Sequence, residues 1–487
     1  MTSSKGKVFR NVIYTTLGKG ATLVCIAVTS SIVARNLSPS DYGVVGFAGI
    51  IIGFLSHFGD VGVGSAAVRR PSLGENELQT AFTLKLVLSI LAFLAAYLIA
   101  PFAHLFFQHP ATANVIRLLA FDFPLSVIGF TAWVMLTREQ NYRALVIPGV
   151  IGTFVRSILA ITLVLYGWKY WAVVVADVGA TLAYGVATQL AKRIPYRFHF
   201  DFPDAEEYLR FGIPLVGSGI FIFLVMNMDN FLVGSHLGSA QLGYYALAFT
   251  WGSFICGLLW DTVNNVLLPA FSAIQDDTVA MRRWYLKTVD LVAFVAVVAN
   301  TALLANAHYF LVTFLGKGTG KWLPAANAFK ILCIYGVVRA ITEPVGNCIM
   351  ARGRTKILLH ANMLAGAVEL GLILLALRTG RIELVAAAVL IAYSSASIIL
   401  LPFVRRELSV GIGDILAQIW PVAPAMIIGC LITTLLPGSF GNTMITLACR
   451  GLITASVVAL THGLCSRFRC FQEASGMISQ NLARVRV

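Results

Sequence analysis

The chain has 487 residues, 58% of them hydrophobic and 12% charged, with a formal net charge of +14 and a mean hydropathy of +0.81. A soluble domain carries about a quarter charged residues, so this composition excludes a water-soluble globular protein and makes lipid the natural solvent. The eight cysteines show no metal-ligand spacing and read as small apolar residues within helices.

The chain opens with MTSSKGKVFR, which reads as a cytosolic tail; the apolar run after it is of helix length, so no cleavable signal is expected and the first helix should stay. Runs of about 20 apolar residues, each able to cross a hydrocarbon core of about 30 Å as a helix, then recur to the end. They predict spans near 11–34, 42–64, 79–105, 113–136, 144–166, 170–191, 210–234, 241–270, 285–314, 325–350, 356–377, 383–403, 414–436 and 443–464. The expected fold class is therefore an all-α polytopic membrane protein with about fourteen transmembrane helices. Alternate loops differ in charge: 23 Lys and Arg lie on the side of the N-terminus and 7 on the other. Positive-inside orientation accounts for the basic excess without nucleic acid, and puts both termini in the cytosol.

One phrase is written twice. IVARNLSPSDYGVVGFA at 32–48 and LVGSHLGSAQLGYYALA at 232–248 align at a shift of 200, which also matches Gly43 with Gly243 and Phe54 with Phe254. Each copy is the turn between the first two helices of a half. An even number of spans per half keeps both halves in one orientation, so they read as parallel repeats about an axis along the membrane normal. The expected organisation is an N-lobe of six helices over 1–192, a cytosolic linker over 193–209, a C-lobe of six helices over 210–406, and two further helices with a cytosolic tail over 407–487. The linker, IPYRFHFDFPDAEEYLR, is rich in aromatics and charge and reads as an amphipathic segment at the membrane surface.

VARNLSPSDYG followed by FGDVGVGSAAVRR, together with MDNFLVGSHLGSAQLGYYALA in the second half, closely resembles the signatures of the polysaccharide-export branch of the multidrug/oligosaccharidyl-lipid/polysaccharide flippase superfamily. The resemblance spans most of the first twelve helices. It implies two six-helix bundles around a central cavity, set in the bacterial inner membrane. It further implies alternating access that carries undecaprenyl-pyrophosphate-linked oligosaccharide from the cytosolic to the periplasmic leaflet, for exopolysaccharide, capsule or O-antigen synthesis. Lipid-linked oligosaccharide and membrane lipids would be the partners, with a polysaccharide polymerase and export machinery alongside.

Moving a pyrophosphate through low dielectric calls for buried cations. Lys19, Arg156 and Arg339 lie deep in spans one, five and ten and are the substrate-binding candidates. Lys19 can equally snorkel along its aliphatic stem. Arg339 has Glu343 four residues on, which favours a self-neutralising pair. Arg156 has no acid on its own helix and must meet another helix's carboxylate, a cavity water or a substrate phosphate. Among the acids inside spans, Asp229, within MNMDN, Glu343 and Asp60 are candidates for coupling to H+ or Na+ or for structural roles as interhelical glue. No catalytic residue, metal site or cofactor is called for. GKGTGKW at 316–322 imitates a phosphate-binding loop, but Leu315 and Trp322 stand where Gly and Ser or Thr are needed.

The composition leaves two other function classes to separate. A cation-coupled exporter or lipid II-type flippase of the same superfamily would be told apart by cavity charge. A membrane glycosyltransferase or polymerase would need substantial external loops with paired acids, which are absent from this sequence.

Overall fold

The computed structural model describes residues 18, 20, 22–437 and 443–466, and every regular element among them is helical. The candidate Lys19 lies outside the described residues. Eleven helices are long and apolar enough to cross a membrane, or twelve when one bent pair counts as a single span. The multi-pass all-α reading therefore holds, whereas the count of fourteen is not reached among the described residues. Three segments account for the difference. Of the first span only Thr22–Asn36 is described as a continuous helix. The fourth is bent by 52° between Thr112–Leu125 and Phe130–Arg138. The eighth is divided at Ser253 into Ser239–Gly252 and Phe254–Ala273.

In chain order the helices of the first part are α1 (Thr22–Asn36), α2 (Pro39–Asp60), α3 (Val63–Arg69), α4 (Glu75–Ile99), α5 (Thr112–Leu119), α6 (Asp122–Leu125), α7 (Phe130–Arg138), α8 (Tyr142–Leu165), α9 (Tyr170–Ala191) and α10 (Phe202–Leu237). There follow α11 (Ser239–Gly252), α12 (Phe254–Ala273), α13 (Thr278–Ala305), α14 (Ala307–Tyr309), α15 (Ala326–Ala351), α16 (Thr355–Leu377), α17 (Ile382–Leu408), α18 (Ile412–Ile419), α19 (Val422–Leu435) and α20 (Thr443–Cys465). The chain forms two compact units, Met1–Gly243 and Tyr244–Val487.

In the first unit the repeated phrase explains itself. In its first copy Ser38 caps α2: its Oγ accepts the backbone N–H of Asp41 at 3.1 Å, and the Asp41 carboxylate accepts the N–H of Ser38 at 3.3 Å. Pro39 occupies the first turn, where no intrahelical donor is lost. In the second copy Gly238, at φ 86°, ends α10 and lets α11 start at once. The two turns then dock on each other. A Cβ on Gly43 would lie 1.9 Å from the carbonyl oxygen of Ser239, and one on Gly243 would lie 1.8 Å from that of Pro39. Ser40 and Ser239 share a hydroxyl hydrogen bond of 2.7 Å. Since Ser239 is Pro39 shifted by 200, the contact is self-complementary in the manner of a twofold interface. Gly is required at both positions because backbone meets backbone there.

At the other end of α2 the chain turns through Val61 and Gly62, with φ 43° and 65°. Gly212 of α10 is pressed against this turn: a Cβ there would sit 1.7 Å from the Val61 carbonyl oxygen. The turn offsets α3, whose C-terminal carbonyls Ala67 and Val68 each accept from the Arg138 guanidinium at 3.1 Å. Residues 193–201 run extended between α9 and α10. They are tied to α4, where Gln79 donates to the Pro195 carbonyl at 2.9 Å and accepts from the Arg197 N–H at 3.0 Å. The Asp201 carboxylate then caps α10 by accepting the Asp204 N–H, so the helix takes in the last eight residues of the 193–209 stretch.

The second unit is built on α13, α15 and α17, whose buried Met281, Tyr285, Val289, Ile349, Phe403 and Leu408 form a continuous core. A further polar joint holds α19 and α20. Buried Arg450 donates to the carbonyls of Thr433 (2.8 Å), Leu436 (2.9 Å) and Pro437 (2.7 Å) and lies 4.6 Å over the Tyr309 ring. It thereby satisfies the carbonyls that the end of α19 leaves open.

Candidate functional site

The helix α8 shows a lipid-type face: Ile147, Ile151, Phe154, Ile158 and Leu165 are all exposed large apolar side chains. At 3.6 residues per turn they form one row, and Arg156 lies on the opposite side of the helix. Its guanidinium is therefore turned into the protein, where its Nε donates to Oδ1 of Asp177 on α9. The Arg156 side chain is 39% exposed and that of Asp177 27%, so the pair is not closed off. On the same two helices Ala160, Val164, Ala172 and Ala176 form a small apolar cluster with Val33 and Leu37. Asp122, at the bend of span four, has Oδ1 buried without a hydrogen bond among the described residues.

Arg339 and Glu343 make the pair that their spacing predicts, Nε to Oε1 at 2.9 Å along α15. The Tyr393 hydroxyl of α17 donates to Glu343 at 3.3 Å, and Arg339 donates to the Tyr335 hydroxyl at 3.4 Å. Their side chains are only 16% and 15% exposed, so the charge is closed off by its own neighbours. Asp229, 2% exposed, accepts from both the N–H (2.7 Å) and the side-chain amide (3.0 Å) of Asn230. Asp60 lies 3.3 Å from Lys85 Nζ, which also donates to the Gly59 carbonyl at 3.0 Å. Lys85 thus closes the C-terminal end of α2, a favourable place for a cation.

Of the sequence candidates, Arg156 is brought to a carboxylate on another helix, and Arg339 and Glu343 to each other. Asp229 and Asp60 stand apart from both pairs. The partner missed from the sequence is Asp177, and hairpin arithmetic finds it. The helices α8 and α9 are antiparallel neighbours joined by the short turn 166–169, and Arg156 and Asp177 sit at similar distances on either side of that turn. Two charges at equal depth on neighbouring helices of a membrane hairpin are expected to meet.

A family model described as polysaccharide biosynthesis protein matches residues 32–327, more than half of the chain. The chain belongs to this family. It is 25% identical over 354 residues to the lipopolysaccharide biosynthesis protein WzxC of Escherichia coli, a match covering 70% of each chain. It is 24% identical over 342 residues to the succinoglycan biosynthesis transport protein ExoT of Rhizobium meliloti, covering 70% of this chain and 68% of that one. Among solved structures the lipid II flippase MurJ, in an inward closed conformation, superimposes with a TM-score of 0.76 at 14% identity, over 94% of this chain and 99% of that one. An inward-facing multidrug transporter of the MATE family superimposes with a TM-score of 0.63 at 16% identity, over 80% and 94%. At these identities the structures establish the fold alone.

Proposed function

We propose that this protein is a flippase for oligosaccharide units linked to undecaprenyl pyrophosphate, moving them from the cytosolic to the periplasmic leaflet of a bacterial inner membrane by alternating access. The observation that carries the reading is membership of the polysaccharide-biosynthesis family, supported by similarity to ExoT, which is named as a transport protein. The open Arg156–Asp177 pair supplies the chemistry. A midspan guanidinium costs least when paired, and Asp177 neutralises it while no substrate is present. A pyrophosphate entering the cavity offers more acceptor oxygens in the fork geometry that arginine favours, so it displaces Asp177 without leaving a bare cation. Lys19, of the first predicted span, would add a second point charge, and both termini face the cytosol. Asp229 and Asp60 remain with structural or ion-coupling roles, the driving ion being H+ or Na+.

The test is reconstitution in liposomes with a fluorescent lipid-linked oligosaccharide, comparing the native chain with Arg156→Ala. Translocation by the native chain and its loss in the variant are expected. No translocation by the native chain would refute the function, and full translocation by the variant would refute the site.

A further inference from the structure

The first unit holds a second feature that the transport pathway does not use. Where α3 ends and α10 begins there is an open cavity of about 760 Å³, lined by Arg69, Arg70, Glu206, Tyr208, Arg210 and Phe211 among others. Its volume lies in the range of small-molecule sites, about 300–1,000 Å³. The basic-loop count assigns this end to the cytosol.

Its three arginines are not equivalent. Arg70 is committed to the protein: it contacts Asp204 at 2.8 Å and Glu207 at 2.9 Å, with Glu77 at 3.7 Å and the Tyr208 ring 5.5 Å away. Burial opposes its charge, but the hydrogen bonds to Asp204 and Tyr208 outweigh that and hold it above the usual arginine range. Arg69 is exposed and lies 4.8 Å over the Phe211 ring, which orients its guanidinium without neutralising it. Arg210 is exposed as well, and among the described residues neither Arg69 nor Arg210 is in an ion pair. Glu207 is taken up by Arg70, which leaves Glu206 as the opposing charge.

The depth of the cavity indicates what could reach it. The helix α10 has 36 residues, about 54 Å at 1.5 Å per residue, well beyond a core of about 30 Å. Apart from the buried Asp229, its acidic and basic residues Asp204, Glu206, Glu207 and Arg210 precede the apolar run, so this turn of the helix sits at headgroup level. The side chains beside it are apolar and exposed: Phe202 is 71% exposed and Ile213 61%. Two unneutralised guanidiniums, one pre-oriented by an aromatic ring, adjoin an apolar wall at the depth of phosphate groups.

We infer that this cavity binds the phosphate headgroup of a membrane amphiphile, with Arg69 and Arg210 on the phosphate oxygens and the acyl or prenyl chain along the start of the α10 apolar face. A headgroup of this chemistry could belong to a prenyl diphosphate, as the proposed function would supply, or to an anionic phospholipid of the bilayer. To the extent that the first source is meant, the inference rests on that function.

The test is binding to the full-length protein in neutral phosphatidylcholine nanodiscs of three probes: a short polyprenyl diphosphate, phosphatidylglycerol and inorganic diphosphate. Saturable binding of either lipid is expected, weakened roughly tenfold or more in Arg69→Ala/Arg210→Ala. Glu206→Gln should tighten it. Preference between the two lipids identifies the source, and either preference supports the inference. Binding unchanged in a double variant that keeps the native Tm would overturn it, as would inorganic diphosphate binding as tightly as both lipids. Because no translocation is measured, the outcomes separate. Headgroup binding that persists in a protein unable to move lipid-linked oligosaccharide sinks the proposed function alone, and translocation without headgroup binding sinks the cavity alone.

Discussion

The two units treat the same chemical pair in opposite ways. In the first, Arg156 and Asp177 come from different helices and remain 39% and 27% exposed. In the second, Arg339 and Glu343 share one helix, are 16% and 15% exposed, and are enclosed by two tyrosine hydroxyls. A pair whose partners sit on one helix keeps its geometry wherever that helix moves, and two further hydrogen bonds leave it little to offer a ligand. A pair that bridges helices depends on their packing and can exchange one partner for a substrate. The lesson is that depth in the membrane does not by itself make a cation a ligand site; what completes its coordination decides.

This contrast can be broken most directly in the second unit. Arg339→Ala or Glu343→Ala strands a buried charge and should cost about 3–5 kcal/mol, read as a large fall in detergent Tm. Arg339→Met/Glu343→Leu should recover most of it, because apolar replacements of similar volume leave nothing unpaired. If the double variant is as unstable as the singles, the pair does more than neutralise itself. Gly43→Ala and Gly243→Ala test whether contacts between helices carry the first unit. Each forces apart the same backbone contact, at a cost of about 1–3 kcal/mol or more, and the double variant should lose less than the sum because both break one joint.

Smaller stability effects are expected at the open pair. Arg156→Ala and Asp177→Ala should each change stability by about 1 kcal/mol or less, since both groups are partly exposed, while Arg156→Ala abolishes translocation in liposomes. Asp177→Asn sharpens the point: with the competing carboxylate gone, half-saturation should occur at lower substrate concentration. A Tm loss at Arg156 as large as that at Arg339 would erase the distinction between the pairs. The smallest effect belongs to Arg197→Ala on the extended segment, whose partner Glu75 is 3.1 Å away with both side chains more than half exposed. A change within about 0–1 kcal/mol is expected by chemical denaturation.

Much of this was legible in the amino-acid order. The apolar runs located helices at all the expected positions. The i, i+4 spacing of Arg339 and Glu343 predicted their pairing, because neighbours on one helix meet whatever the fold does. The repeated phrase announced two related turns. Legibility fell where a property depends on two segments at once. Among the described residues eleven full crossings, or twelve with the bent pair, stand against the fourteen expected, and hydropathy does not register the bend between α6 and α7 or the break at Ser253. Asp177 was visible as an acid inside a span, yet its role came only from the antiparallel packing of α8 on α9.

The sequence by itself determined the solvent, the helical class and the family, since these follow from local composition, periodicity and motif, which no packing can alter. Only the tertiary structure decided which arginine is enclosed, which is open and which, as Arg450, closes a helix end. It also decided that the two copies of the phrase meet, Gly43 on Ser239 and Gly243 on Pro39. The physical reason is that the cost of a charge or a Cβ in a membrane protein is set by the atoms within a few ångströms, and those belong to helices far away along the chain.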